Sequence, residues 1–172
     1  MININPTEQF SDLVNLIQTL RGPNGCPWDK EQTHESLKSN LIEESYETLN
    51  AIDNNDQQNL SEELGDVLLQ ILFHSDIAEK NDEFTINDVI YSLQKKLIER
   101  HPHVFRLKTS LSSNEVVSQW EEIKKQNLSS KGLTSALDSV TPNLPGLMYA
   151  TKIQRKAASY GLDWKDIDGV IE

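Results

Sequence analysis

The sequence predicts an all-α protein with a four-helix-bundle-like core and extra helices toward the C-terminus. Apolar residues recur at helical spacing in one segment after another. Residues that cap or break helices separate those segments. No segment alternates apolar and polar residues as a half-buried strand would.

The first helix is expected over about Thr7 to Arg21, from the spacing of Phe10, Leu13, Val14, Leu16, Ile17 and Leu20. Gly22-Pro23-Asn24-Gly25 ends it. A second should start at Asp29 or Thr33, both acceptable N-caps, and run to about Ile52. Asn54-Asn55-Asp56 reads as a turn, and a third helix follows from about Gln58 to Lys80. Gly65 inside it costs about 1 kcal/mol relative to Ala, which close approach of a neighbouring helix or a phosphate would offset. Thr85 with Asp88 makes a capping box for a fourth helix to Arg100, and Pro102 ends that helix. Ser112 with Glu115 repeats the box ahead of a helix to about Lys125. Ser129-Ser130-Lys131-Gly132 and Thr141-Pro142-Asn143 are linker-like. A last helix is expected from about Leu147 to Ala158, with Gly161 beyond it. The expected division is residues 1–126 as one module and 127–172 as a linker and helical connector.

Composition narrows the function. A chain of 172 residues fits one domain, or one domain with an extension. Its 37% apolar content is low for a self-contained globule and fits wide polar helix faces or burial by oligomerisation. A net charge of −11 argues against a nucleic-acid surface, which would show a basic patch. The lone Cys26 cannot form an intramolecular disulfide, and is read as structural. No cationic, apolar leader opens the sequence, and no apolar run is long enough to span a bilayer. A cytoplasmic protein without a membrane partner is expected.

Two acidic clusters carry the chemistry: Glu43-Glu44-Ser45-Tyr46-Glu47 and Glu63-Leu64-Gly65-Asp66. Glu43 and Glu47, Glu44 and Glu47, and Glu63 and Asp66 stand three or four apart, so each pair shares a helix face. Carboxylates packed so closely repel unless solvent or a divalent metal offsets the repulsion. Hard oxygen donors suit Mg²⁺ or Mn²⁺, ions that usually work on phosphates. The run from Val67 to Phe73 is apolar on nearly every face, as in a buried helix. Yet Asn59, Glu63, Asp66, Gln70 and His74 draw one polar strip along it, and a buried polar strip must be paired, hydrated or metal-bound.

The order Glu-Glu-x-x-Glu, spacer, Glu-x-x-Asp resembles the MazG-type nucleoside triphosphate pyrophosphohydrolases. Further blocks are similar to that family: Gly25-Cys26-Pro27-Trp28-Asp29-Lys30, Lys96-Leu97-Ile98-Glu99-Arg100-His101-Pro102-His103-Val104-Phe105, Trp120-Glu121 with Lys124, Ser135-Ala136-Leu137-Asp138 and Leu144-Pro145-Gly146-Leu147-Met148. The likeness spans nearly the whole chain. It implies a core of the all-α NTP pyrophosphatase type and Mg²⁺-dependent hydrolysis of a nucleoside triphosphate to monophosphate and pyrophosphate, with Mn²⁺ a possible substitute. Direct attack by water is expected, since no Gly-rich phosphate loop and no Ser-centred nucleophile elbow is present.

The resemblance implies Glu44, Glu47, Glu63 and Asp66 as metal ligands, and Glu43 as the residue that orients the water or takes its proton. Asn40, Lys96, Arg100, Trp120 and Lys124 are then substrate-binding. From spacing alone, Lys96 and Arg100 equally make a solvated basic face, and Trp120 a core residue. His101 and His103 read as packing and capping groups, His74 as a satisfied histidine, Trp28 as core. The basic C-terminal tail with Lys152, Arg155 and Lys156 reads as a docking arm.

Family members often carry two such modules in tandem, and here the acidic motifs do not recur. The chain is expected to be a first module with its connector. That leaves an alternative: a catalytically silent module serving dimerisation or regulation of a second one. A di-iron carboxylate bundle ranks last, because no Glu-x-x-His pair follows the acidic clusters. A homodimer or dimer of dimers is expected, with Leu69 and Phe73 at the interface because they lie off the Leu60-Leu64-Val67-Ile71 stripe.

Overall fold

The computed structural model describes residues 5–107, 109–128 and 137–163; the side chains of Glu121 and of residues 124–128 are not among those described. The described residues are helical, without a strand. They divide into two compact units, Met1–Lys95 and Lys96–Glu172, with the boundary inside a helix.

The first unit is built on α1 (Phe10–Leu20), the short α2 (Pro27–Glu31), α3 (Lys38–Asp53) and α4 (Gln57–Lys80). A tight turn joins α3 to α4 and makes them a helical hairpin. Asn55 sits in it at φ 54°, a left-handed conformation that Asn tolerates better than most residues. Asp56 then caps α4, its carboxylate accepting from the backbone N–H of Asn59 at 3.0 Å. Ile17, Leu37, Leu72, Phe73 and Ile77 form the buried core, with Leu13, Val14, Leu20, Leu68, Leu69 and Ile86 packed against them.

The expected second helix is two helices. Neither Asp29 nor Thr33 caps α3, which starts at Lys38 behind the buried Leu37. A basic side chain explains the break. Arg21 is buried, and its guanidinium donates to the backbone carbonyls of Asp29 and Gln32. The Asp29 carbonyl also takes the Gln32 N–H in the last turn of α2, and Gln32 itself takes an extended ψ of 139°, which ends the helix there. Thr33 and Ser36 bond each other's backbone N–H groups in the turn that follows.

The interface expectation is also corrected. Phe73 is 5% exposed in the core and lies under the Arg21 guanidinium, 5.2 Å from its ring centroid. Leu69 packs beside the same core. On the Leu60-Leu64-Val67-Ile71 stripe, Leu64 and Ile71 are exposed, Leu64 at 53%, while Leu60 and Val67 are half-buried. A helix that is apolar nearly all round hides from sequence reading which face meets its neighbours. Trp28, read as core, is exposed. Gly65 has open space where a Cβ would stand, so no helix of this unit approaches it closely.

The capping boxes are as expected. Thr85 N–H donates to Asp88 Oδ2 at 2.8 Å ahead of α5 (Ile86–Arg100), and Ser112 N–H to Glu115 Oε2 at 2.8 Å ahead of α7 (Ser113–Leu128). Pro102 does more than end α5: it occupies the first turn of a four-residue helix, α6 (Pro102–Phe105). The last described helix is α8 (Gly146–Ser159), and Gly161 follows its end at φ 81°. In the second unit His101 bonds Leu97 O at 2.6 Å and His103 bonds Gln119 at 2.9 Å, the packing and capping roles expected of both. Lys156 reaches the Ser139 hydroxyl. The Ser129–Gly132 linker, Ser135, Ala136 and the tail from Trp164 lie outside the described residues.

Candidate metal centre

The α3–α4 hairpin brings Glu44, Glu63 and Asp66 together. One carboxylate oxygen from each lies within 4.8 Å of the other two, and all three side chains are half-buried. Glu47, one turn beyond Glu44 on α3, is close enough to add to the repulsion on both Glu44 and Glu63. Among the described residues no Lys or Arg forms an ion pair with any of these four.

The electrostatics record the strain. Burial raises the Glu44 pKa above its ordinary value, and the charges of Asp66, Glu47 and Glu63 raise it further. Glu63 is raised in the same way, by desolvation first and then by Glu47, Asp66 and Glu62. Converging oxygen donors that lack a cation fit a hard divalent ion. Those residues can hold one.

The other expected site residues are placed as follows. Asn40 stands one turn before Glu44 on α3, half-buried, and Glu43 is exposed on the same helix. Lys96, Arg100 and Trp120 belong to the second unit. There Lys96 and Arg100 stand one turn apart on α5. Trp120 and His101 meet edge-on at 5.1 Å between ring centroids, and the buried Trp120 indole N–H has no acceptor among the described residues. Lys124 lies in α7 with its side chain outside the described residues.

The polar strip on α4 continues past the carboxylates. Gln70, one turn beyond Asp66, is 5% exposed, and its Oε1 has no hydrogen-bond partner among the described residues. His74, one turn further, is satisfied as expected: its Nδ1 lies 2.7 Å from Nδ1 of His34, and the two rings stack at 5.0 Å. Desolvation lowers the His74 pKa, and the neighbouring His34 lowers it further. Sequence reading placed Gln70 on the strip without giving it a role. The missing signal was the absent partner, which only packing reveals.

Residues 32–105 match the MazG nucleotide pyrophosphohydrolase domain. The chain is 48% identical over 163 residues to the nucleoside triphosphate pyrophosphohydrolase/pyrophosphatase MazG of Thermotoga maritima, covering 95% of this chain and 62% of that protein. It is 42% identical over 165 residues to the nucleoside triphosphate pyrophosphohydrolase of Escherichia coli K12, covering 95% of this chain and 63% of that one. The chain thus spans somewhat under two thirds of the length of these relatives. A crystal structure of a mazG-related protein from Thermotoga maritima superposes with a TM-score of 0.57 at 30% identity, covering 67% of this chain and 98% of that one. A hairpin of paired acidic helices in an all-α chain defines a carboxylate-centred metal-site class. Within it, this chain belongs to the MazG nucleotide pyrophosphohydrolase family.

Proposed function

We propose that this chain hydrolyses nucleoside triphosphates to the monophosphate and pyrophosphate, with Mg²⁺ as cofactor and Mn²⁺ able to replace it. The observation that carries the reading is the convergence of Glu44, Glu63 and Asp66 without a cationic partner among the described residues. The relatives' names support the reaction class. Glu44, Glu47, Glu63 and Asp66 would hold the metal. When bound, Mg²⁺ would neutralise phosphate charge and lower the pKa of the attacking water. Glu43, exposed beside the cluster, orients that water or accepts its proton. Asn40, Lys96, Arg100, Trp120 and Lys124 bind substrate, and the Trp120 indole N–H has no acceptor among the described residues.

The active unit in this reading is a homodimer or dimer of dimers. Ile42, Tyr46 and Leu49 on α3, with Leu64 and Ile71 on α4, expose apolar surface on the hairpin that carries the carboxylates. Residues 1–126 act as the catalytic module and 127–172 as its connector. The lone Cys26 fits a reducing cytoplasm. Among the described residues no helix is long and apolar enough to cross a membrane.

Hydrolysis in ¹⁸O-water tests the reaction. Label in the monophosphate is expected from attack at the α-phosphorus. Label only in pyrophosphate would refute it, and no pyrophosphate release from any triphosphate would favour the silent-module alternative.

A further inference from the structure

The turn that leads from α2 into α3 carries His34, and the far end of the α4 strip carries His74. Their Nδ1 atoms meet at 2.7 Å, with the rings 7° from parallel. Two ring nitrogens this close need a proton between them, so one Nδ1–H donates and the other Nδ1 accepts. Glu83 Oε2 lies 3.9 Å from Nε2 of His34, which places the pair's first positive charge on His34 and makes it the donor. A charged His34 still donates to a neutral His74. A second proton, on His74, sets N–H against N–H and charge against charge, and the bond is lost. One turn away on α4, Gln70, Ile71, Ile77 and Ala78 are neutral and cannot soften that repulsion. Lys38 on α3 is paired with Glu35, and Asp76 is held by Lys80 and by Arg21 at the end of α1. Among the described residues His34 is the one titratable group whose charge acts on His74.

The contact closes the hairpin. The turn through Asn55 joins α3 and α4 at one end, and His34 meets His74 at the other, just ahead of Lys38, where α3 begins. Among the described residues no other side-chain hydrogen bond joins α3, or the turn leading into it, to α4. Glu44 on one arm repels Glu63 and Asp66 on the other, so the arms need holding at both ends.

We propose that the His34–His74 contact is a pH-sensitive latch on the open end of the α3–α4 hairpin, which holds with one proton charge on the pair and releases with two, loosening the arms that bring Glu44 to Glu63 and Asp66. The latch rests on the two histidines. Its effect on a bound cation rests on the reading of Glu44, Glu63 and Asp66 as a metal centre. Release frees the start of α3, and Glu44 lies only in the second turn of that helix. Acid thus weakens the centre twice, by protonating carboxylates and by letting the arm that carries Glu44 move.

The test needs no substrate. In the metal-free chain, hydrogen exchange is followed at the Leu37 and Leu41 amides, which bond the Thr33 and Leu37 carbonyls at the start of α3. The pH runs from about 8 to about 5, the range in which histidines change charge, and rates are corrected for the intrinsic effect of pH. Protection should fall by about tenfold as His74 takes its proton, with imidazole ¹⁵N shifts reporting which ring is charged. His74→Gln keeps an acceptor for His34 that does not titrate, so protection should stay level. His34→Gln is the second variant: its amide donates to a neutral His74 and accepts from a charged one, and it should also remove the response. Calorimetry with Mg²⁺ alone should show affinity falling about tenfold further in the unmutated chain than in either variant over the same range. Protection that ignores pH in the unmutated chain overturns the latch. A response that persists in both variants also overturns it and assigns the acid effect to the carboxylates. Equal pH dependence of Mg²⁺ affinity in all three chains overturns the link to the centre. A latch that opens in a chain binding no Mg²⁺ at any pH supports the latch and overturns the metal reading.

Discussion

Nε of Arg21 donates to Oδ2 of Asp76 at 2.6 Å, with the two side chains only 4% and 6% exposed. The pair ties the end of α1 to α4, and the same guanidinium holds Asp29 and Gln32 by their carbonyls. Lys80 closes the group, donating to Asp76 at 2.7 Å and to the Arg21 carbonyl at 2.8 Å. Breaking a buried pair from one side costs about 3–5 kcal/mol. Arg21→Met should fall near the low end of that range, because Lys80 still neutralises Asp76. Urea unfolding measures it; a loss under about 1 kcal/mol would contradict the role given to Arg21.

Removing a carboxylate should separate function from fold. Glu47→Ala and Asp66→Ala should each abolish metal-dependent hydrolysis and leave helical content unchanged. Without metal, each variant should melt no lower than the unmutated chain, since one of several repelling charges is gone. Unchanged Mg²⁺ affinity by calorimetry in both would refute the ligand assignment.

Surface and core should respond differently to charge. Leu64→Lys or Ile42→Lys should yield folded monomers, seen by light scattering with intact circular dichroism. Phe73→Lys should unfold the chain, since even truncating a buried Phe costs about 3–5 kcal/mol. A stable unmutated monomer at micromolar concentration would refute the proposed assembly.

The histidine pair predicts acid sensitivity. The His74 pKa is lowered in the fold, so the unfolded chain binds that proton more tightly. Stability from this group is full above the ordinary value of 6.5 and is lost as pH falls from there toward the depressed folded value. His74→Phe should flatten that part of the stability–pH curve, measured by chemical unfolding between pH 5 and pH 8. An unchanged slope would exclude His74 as its source.

Lys96→Met and Arg100→Met should each weaken triphosphate binding by about tenfold, with Mg²⁺ affinity unchanged. Loss of Mg²⁺ binding as well would mean that these cations act on the fold rather than on the substrate.

These residues also show what a sequence discloses. The hairpin was legible because Asn54-Asn55-Asp56 reads as a turn and carboxylates three and four apart share a face, and the starts of α5 and α7 because Thr85 and Ser112 announce them through local chemistry. The break between α2 and α3 was not, since its cause is Arg21, brought to Asp29 and Gln32 by tertiary packing. The core face of α4 was misread for a related reason. With Leu64, Leu68, Leu69, Leu72 and Phe73 all apolar, periodicity gives no direction, and the neighbours decide. Trp28 misled because a large ring was taken as buried from its type alone.

The tight turn through Asn55 has a consequence for the order in which the chain assembles. Every carboxylate that converges lies on the two arms it joins, so the centre is local in sequence. Local contacts close with little loss of chain entropy and form early. A divalent ion taken up by the hairpin would stabilise it by mass action. Cation supply would then set the pace of folding as well as the rate of chemistry, and refolding should quicken when Mg²⁺ is present from the start.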